Sequence, residues 1–297
     1  MITYTRRGAI GATAAIAFPA ALLRKPAAAQ AAVDPLTKVI RDVEVHLQSR
    51  LGVSIRDTES GRIWSHRAEE RFPMCSTFKA LAAAAVLARV DRGEDKLDRR
   101  IVFPTSDVVT YSPVTKEHVG EPGMTIGEIC AAAVATSDNT AGNLMLKAIG
   151  GPESLTRFLR GIGDPVSRLD RWETELNEGT PGDPRDTTSP AALNATMEKL
   201  ALGSALSSRS RDLLASWLVG NKVGDTKVRA GLPKDWKVGD KTGGGGFGTN
   251  NDTGIIWPPK RKPIVFTILT TETKASFEDK NAGMAEIASA LHSALSS

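Results

Sequence analysis

Strand-like segments stand near both ends of this chain, and the long stretch between them reads as helix. Near the start, Gly52–Asp57 and Arg62–Ser65 form a hairpin pattern around Thr58-Glu59-Ser60-Gly61. Near the end, Trp236–Thr242, Thr253–Trp257 and Ile264–Thr271 carry strand character, the last two joined by a Pro-Pro-Lys-Arg-Lys-Pro turn. The middle predicts helices over 126–136, 140–149, 152–159, 190–200 and 208–218, and Ser76–Val90 is apolar nearly all round, as a buried central helix requires. Leu36, Val39, Ile40, Val43, Leu47 and Leu51 mark an opening amphipathic helix, and Ala282–Leu295 a closing one. Strands so far apart in sequence can share one antiparallel sheet only if the helical block is an insertion between them. The expectation is an α+β fold: an α/β domain from residues 32–68 and 216–297, an all-helical domain from 69–215, and an active site at their junction.

The first 31 residues do not belong to that globule. Arg6-Arg7 precedes an apolar run from Gly11 to Leu23 and then the small residues Ala27-Ala28-Ala29-Gln30-Ala31-Ala32. A charged start, an apolar middle and an A-x-A site predict an export signal of twin-arginine type, cleaved near Ala29 or Ala31. The apolar run is too short to span a bilayer, so no membrane anchor is expected after cleavage. Arg6, Arg7, Arg24 and Lys25 account for the whole formal charge of +4, which leaves a nearly neutral mature chain. That balance, with no basic run, argues against a nucleic-acid partner. The four histidines (His46, His66, His118, His292) lack metal-ligand spacing, so no metal or cofactor is expected. Cys75 and Cys130 have a spacing that does not require a bridge.

Three short elements carry chemistry. Ser76-Thr77-Phe78-Lys79 puts a hydroxyl and an amine one helical turn apart at a helix start. A serine needs a neighbouring base to act as nucleophile, and a desolvated lysine can supply it. Ser137-Asp138-Asn139 follows a helix and Lys241-Thr242-Gly243 ends a strand. Separately they read as an N-cap, a helix junction and a strand end. The run Gly243-Gly244-Gly245-Gly246-Phe247-Gly248 lacks the Gly-Lys-Ser/Thr of a phosphate loop and opens no helix.

Together, and in this order, Ser-x-x-Lys, Ser-Asp-Asn and Lys-Thr-Gly resemble the signature of class A serine β-lactamases and their penicillin-binding relatives. The resemblance runs on through Tyr111-Ser112-Pro113-Val114-Thr115, Arg171-Trp172-Glu173-Thr174-Glu175-Leu176-Asn177 and Asp186-Thr187-Thr188. It implies a monomeric, exported (periplasmic or secreted) hydrolase whose partner is a small β-lactam. Ser76 would attack the lactam carbonyl, with Lys79 or Glu173 as acylation base, and the backbone N–H groups of Ser76 and Gly244 would hold the oxyanion. Ser137 would relay a proton to the leaving nitrogen, and Glu173 with Asn177 would position the deacylating water. An Arg171–Asp186 ion pair would pin the loop carrying Glu173, and the Glu173–Thr174 peptide would be cis. Asn139, Tyr111, Thr242, Gly243 and Lys241 would line the substrate. Many relatives add an arginine where Asn250 stands, and others place the cation upstream, which assigns Lys227 to the substrate carboxylate. The cysteine partners that relatives use fall on Gly245 and Ala83, so two reduced thiols are expected. The competing assignments are a D-alanyl-D-alanine peptidase, disfavoured by Glu173, Asn177 and the lack of a C-terminal anchor, and a non-catalytic penicillin-sensing domain.

Overall fold

The structure is a computed structural model that describes residues 1–5, 8 and 34–296. The export-signal reading of residues 1–31 falls almost wholly outside the described residues. Residues 34–296 form one compact unit.

Five strands make a single antiparallel sheet: β1 (Arg50–Asp57), β2 (Ile63–His66), β3 (Lys237–Gly244), β4 (Asn250–Trp257) and β5 (Ile264–Thr271), in the order β2-β1-β5-β4-β3. The seam joining the two ends of the chain is β1 against β5, with Val53 opposite Ile268 and Ile55 opposite Phe266. One face is covered by α1 (Pro35–His46) and α8 (Phe277–Ser296), whose Leu36, Ile40, Met284 and Ile287 pack on Val53, Ile256, Phe266 and Ile268. The other face supports the helical block: α2 (Phe78–Asp91), α3 (Ile126–Ala135), α4 (Asn139–Ile149), α5 (Pro152–Gly161), α6 (Pro190–Ala201) and α7 (Ser208–Val219).

At its centre α2 is buried from Phe78 to Ala88. Its run of alanines gives a thin rod that neighbours approach closely, while Phe78, Leu81, Val86 and Leu87 fill the space between them. Helix α6 lies on the sheet, where Asn194 Nδ2 donates to Ser54 O at 2.8 Å. Gly52 permits that contact, because a Cβ there would lie 2.5 Å from the Phe72 ring and 2.6 Å from Pro190.

Several boundaries differ from the sequence pattern. Ser76 lies in a separate 3-10 turn, Cys75–Thr77, ahead of α2, and its side chain caps no helix. Strand β3 runs two residues further, to Gly244, and β4 begins at Asn250 rather than Thr253. Helix α8 starts at Phe277 rather than Ala282, capped by Ser276, whose Oγ accepts from Asp279 N at 3.0 Å.

Candidate active site

The 3-10 turn, the first turn of α2, the Ser137 loop and the edge strand β3 converge around Ser76. Lys79 is wholly buried, and its Nζ lies 2.7 Å from Ser76 Oγ, 3.0 Å from Ser137 O and 2.6 Å from Asn139 Oδ1. Glu173 Oε1 is 2.7 Å from the same nitrogen and 3.4 Å from Ser76 Oγ. Burial lowers the Lys79 ammonium below an ordinary lysine, and the Glu173 carboxylate opposes that shift. The proton on this lysine is therefore held less firmly than on a surface one, beside the Ser76 hydroxyl.

Glu173 is held at three points. Its amide N donates to Asn143 Oδ1 at 2.9 Å, its carbonyl accepts from Asn143 Nδ2 at 3.0 Å, and Asn177 Nδ2 donates to Oε2 at 2.5 Å. The Glu173–Thr174 peptide is cis. Below it the loop closes on a buried carboxylate: Asp186 accepts from Asp170 N, Arg171 N and Arg171 Nε at 2.7, 2.9 and 2.6 Å.

Opposite, Lys241 is wholly buried and donates to Ser137 Oγ at 3.0 Å and Thr242 O at 2.9 Å. Burial, and then the Lys79 charge beside it, lowers its ammonium to about 7. Strand β3 passes close to the nucleophile's own amide. A Cβ on Gly243 would lie 2.9 Å from Met74 O and 3.3 Å from Ser76 N, so a residue without a side chain is needed for this close approach. Asp138 braces the Ser137 loop, accepting from Val114 N, Thr115 N and Ala141 N at 2.9, 2.9 and 2.8 Å.

This arrangement can activate a serine, stabilise an oxyanion and activate a second nucleophile. Residues 35–295 match the family model described as the β-lactamase enzyme family. The chain belongs to the β-lactamase enzyme family. It is 49% identical over 260 residues to a β-lactamase of Streptomyces lavendulae, covering 86% of this chain and 85% of that one. It is 51% identical over 245 residues to the β-lactamase AST-1 of Nocardia asteroides, covering 82% and 79%. Among solved structures, an ancestral class A β-lactamase superposes with a TM-score of 0.86 at 57% identity, covering 87% of this chain and 99% of that one. The class A β-lactamase PenP of Rhodopseudomonas palustris, described as putative, gives 0.86 at 51% identity, covering 88% and 100%. The fold is the class A β-lactamase fold.

Within this β-lactamase fold the structure brings Ser76, Lys79, Ser137, Asn139, Glu173, Asn177, Lys241, Thr242, Gly243 and Gly244 into one region. Tyr111 stands at its edge, 54% exposed with φ of 62°, its carbonyl accepting from Asn139 N at 3.0 Å. Asn139 already spends both ends of its amide, on Lys79 and on Thr110 O. Lys227 is 2% exposed; its ammonium donates to Asn250 Oδ1 and lies 3.5 Å from Asn251 O and 5.2 Å from the centroid of the Phe277 ring. Neither Lys241 nor Thr242 is among those contacts. Burial lowers Lys227 to about 8, against the pull of Asp252 and Asp240. Cys75 and Cys130 are free and buried, and burial pushes both thiols up.

Sequence reasoning passed over Asn143, Asp138 as a brace, and Asn251, whose Nδ2 donates to Pro73 O and Met74 O at 2.8 and 3.1 Å just before the nucleophile. Asn143 had a signal: it follows Asn139 by four positions on α4 and so shares its face. Asn251 had none, since its partners lie 177 and 178 residues away.

Proposed function

We propose that this enzyme hydrolyses β-lactams by acylating and then regenerating Ser76. The Ser76 hydroxyl passes its proton to the buried base pair, its oxygen bonds to the lactam carbonyl carbon, and the carbonyl electrons move onto an oxyanion held by the Ser76 and Gly244 amides. As the tetrahedral centre collapses, the C–N bond breaks and the ring nitrogen takes a proton through Ser137. In the second half-reaction Glu173 removes a proton from water, the hydroxide adds to the ester, and the Ser76 oxygen leaves and is reprotonated. Asn177 suits that step: Nδ2 is held by Glu173, and its buried Oδ1 has no protein partner, which makes it an acceptor for water. Lys241 and Thr242 receive the substrate carboxylate, and Lys227, beneath Asn250, adds positive potential to it. The same reading includes an exported monomer cleaved near Ala29 or Ala31, and a helical domain over 69–215 set into an α/β domain.

The observation that carries this reading is the Glu173 carboxylate 3.4 Å from Ser76 Oγ and 2.7 Å from Lys79 Nζ. A peptidase or a sensor needs to acylate; a carboxylate locked at that distance serves release. The test is to mix the purified enzyme with a chromogenic cephalosporin and count turnovers per molecule. Sustained turnover is expected, and a single stoichiometric burst would replace the hydrolase with a penicillin-binding reading.

A further inference from the structure

Behind the Ser137 loop lies a second cleft, of about 540 Å³, between the C-terminal half of α3 and the loop running from Val114 to Met124. That volume falls in the range of small-molecule sites. Its floor is apolar, made by Val114, Met124, Ala131 and Ala135. Its one acid, Glu128, is turned back into the α3 capping box, where it accepts from Thr125 N and Oγ1 at 2.7 and 2.8 Å. Arg100 and His118 stand near that carboxylate and offset it. The Lys222 ammonium on the same rim has no hydrogen-bond or ion-pair partner among the described residues. An apolar floor with one unmatched positive charge fits an apolar body carrying a single negative charge.

The walls of this cleft lead directly to the catalytic loop. Val114 donates its amide to Asp138 at 2.9 Å, Thr136 on the wall precedes Ser137, and Lys222 N donates to Ala135 O at 2.9 Å. A body inserted between Val114 and α3 bears on the Asp138 brace, and Asp138 lies between the relay Ser137 and the Lys79 partner Asn139.

We propose that this cleft binds a small aryl or alkyl monocarboxylate, with its carboxylate on Lys222, and that occupation slows acylation of Ser76. The effect on rate rests on the assignment of Ser76 and Ser137 above; binding does not. The probe is 4-phenylbutyrate, titrated calorimetrically into Glu173→Gln protein whose Ser76 has first been acylated by a penicillin, so that Lys241 is not free to bind it. Intact mass confirms the adduct beforehand. An absent adduct would count against the Ser76 assignment, and the same titrations would then be run on unmodified protein. One saturable site is expected, at least tenfold weaker for neutral 4-phenylbutanamide and for Lys222→Glu, and abolished by Ala131→Trp, which fills the cleft. With the native enzyme, kcat/KM should fall to a non-zero plateau as the probe saturates, whereas competition at Ser76 drives it to zero. No binding to the acylated protein, or unchanged binding in Lys222→Glu, would overturn the proposal.

Discussion

Two buried polar clusters lie on either side of strand β3, both holding buried carboxylates and governed by different electrostatics. In the Ser76 pocket, Lys79 and Glu173 stand 2.7 Å apart with both side chains fully buried, so each charge has an opposite charge beside it. On the far side, Asp240 and Asp252 are both fully buried, and the Asp240 charge adds to the burial that raises the Asp252 carboxyl. Asp240 is matched by Arg229, at 2.5 Å, and by Asn221 Nδ2 at 2.6 Å. Asp252 keeps an Oδ1 without any partner, and burial, then the Asp240 charge, raises its carboxyl well above the usual range. Burial alone does not create a reactive group. Burial matched by a close opposite charge keeps charges in place for chemistry; burial that outweighs its partners, as at Asp252 with Lys227 and the Val228 amide, favours the neutral form.

The strongest challenge to this contrast is Glu173→Gln. Loss of the carboxylate should cut steady-state turnover by about a thousandfold, within the range of general-base effects. A mass increase on Ser76 equal to one substrate molecule should then persist; free Ser76 under turnover would reassign the deacylating base. Next comes Asn143→Ala, which frees both main-chain groups of Glu173 and should cost about a hundredfold in kcat through misplacement. Circular dichroism and a melting curve would separate this from unfolding.

Lys241 tests the electrostatics through pH. Its ammonium is lowered to about 7, so the charge proposed to receive the substrate carboxylate is lost above that, and kcat/KM should fall on the alkaline side of 7. Lys241→Arg stays charged and should move that limb upward by two pH units or more. The stability sign is opposite. Unfolded lysine keeps its proton until about 10.4, so between about 7 and 10.4 the unfolded state binds more protons. Stability from this group therefore rises with pH across that window and carries its full penalty below it. The smallest effect is expected for Asp252→Asn. Burial pushes the Asp252 carboxyl toward its neutral form, which has nearly the shape of an amide, so activity should change less than about threefold and stability by less than about 1 kcal/mol. A loss comparable to that of Glu173→Gln would show that Asp252 is ionised, and the contrast between the two clusters would fail.

Much of the architecture was legible because periodicity survives translation into space. The apolar rod from Phe78 to Ala88 and the strands at Lys237 and Ile264 read directly from spacing. The start of β4 did not. Asn250-Asn251-Asp252 looks like loop, yet all three are buried in strand, because Asn250 donates to Asn281 Oδ1 at 2.9 Å and Asn251 to two carbonyls before the nucleophile. Their partners are distant in sequence, and no local pattern encodes them. The start of α8 was locally written, in Ser276-x-x-Asp279, and a capping signal of that kind outranks the onset of apolar periodicity.

By itself the sequence determined which groups are present and in what order: a serine and lysine one turn apart, a second serine, a glutamate four positions before an asparagine, and a second lysine. Tertiary structure alone decided their charges and distances. Residues 76, 137, 173 and 241 meet because an insertion of helices folds back on a sheet made from both chain ends. The lowered ammonium of Lys241 comes from desolvation and from Lys79, located 162 positions away in the chain. Motifs are local and survive in sequence; pKa values and clefts are sums over neighbours, which exist only once the chain has folded.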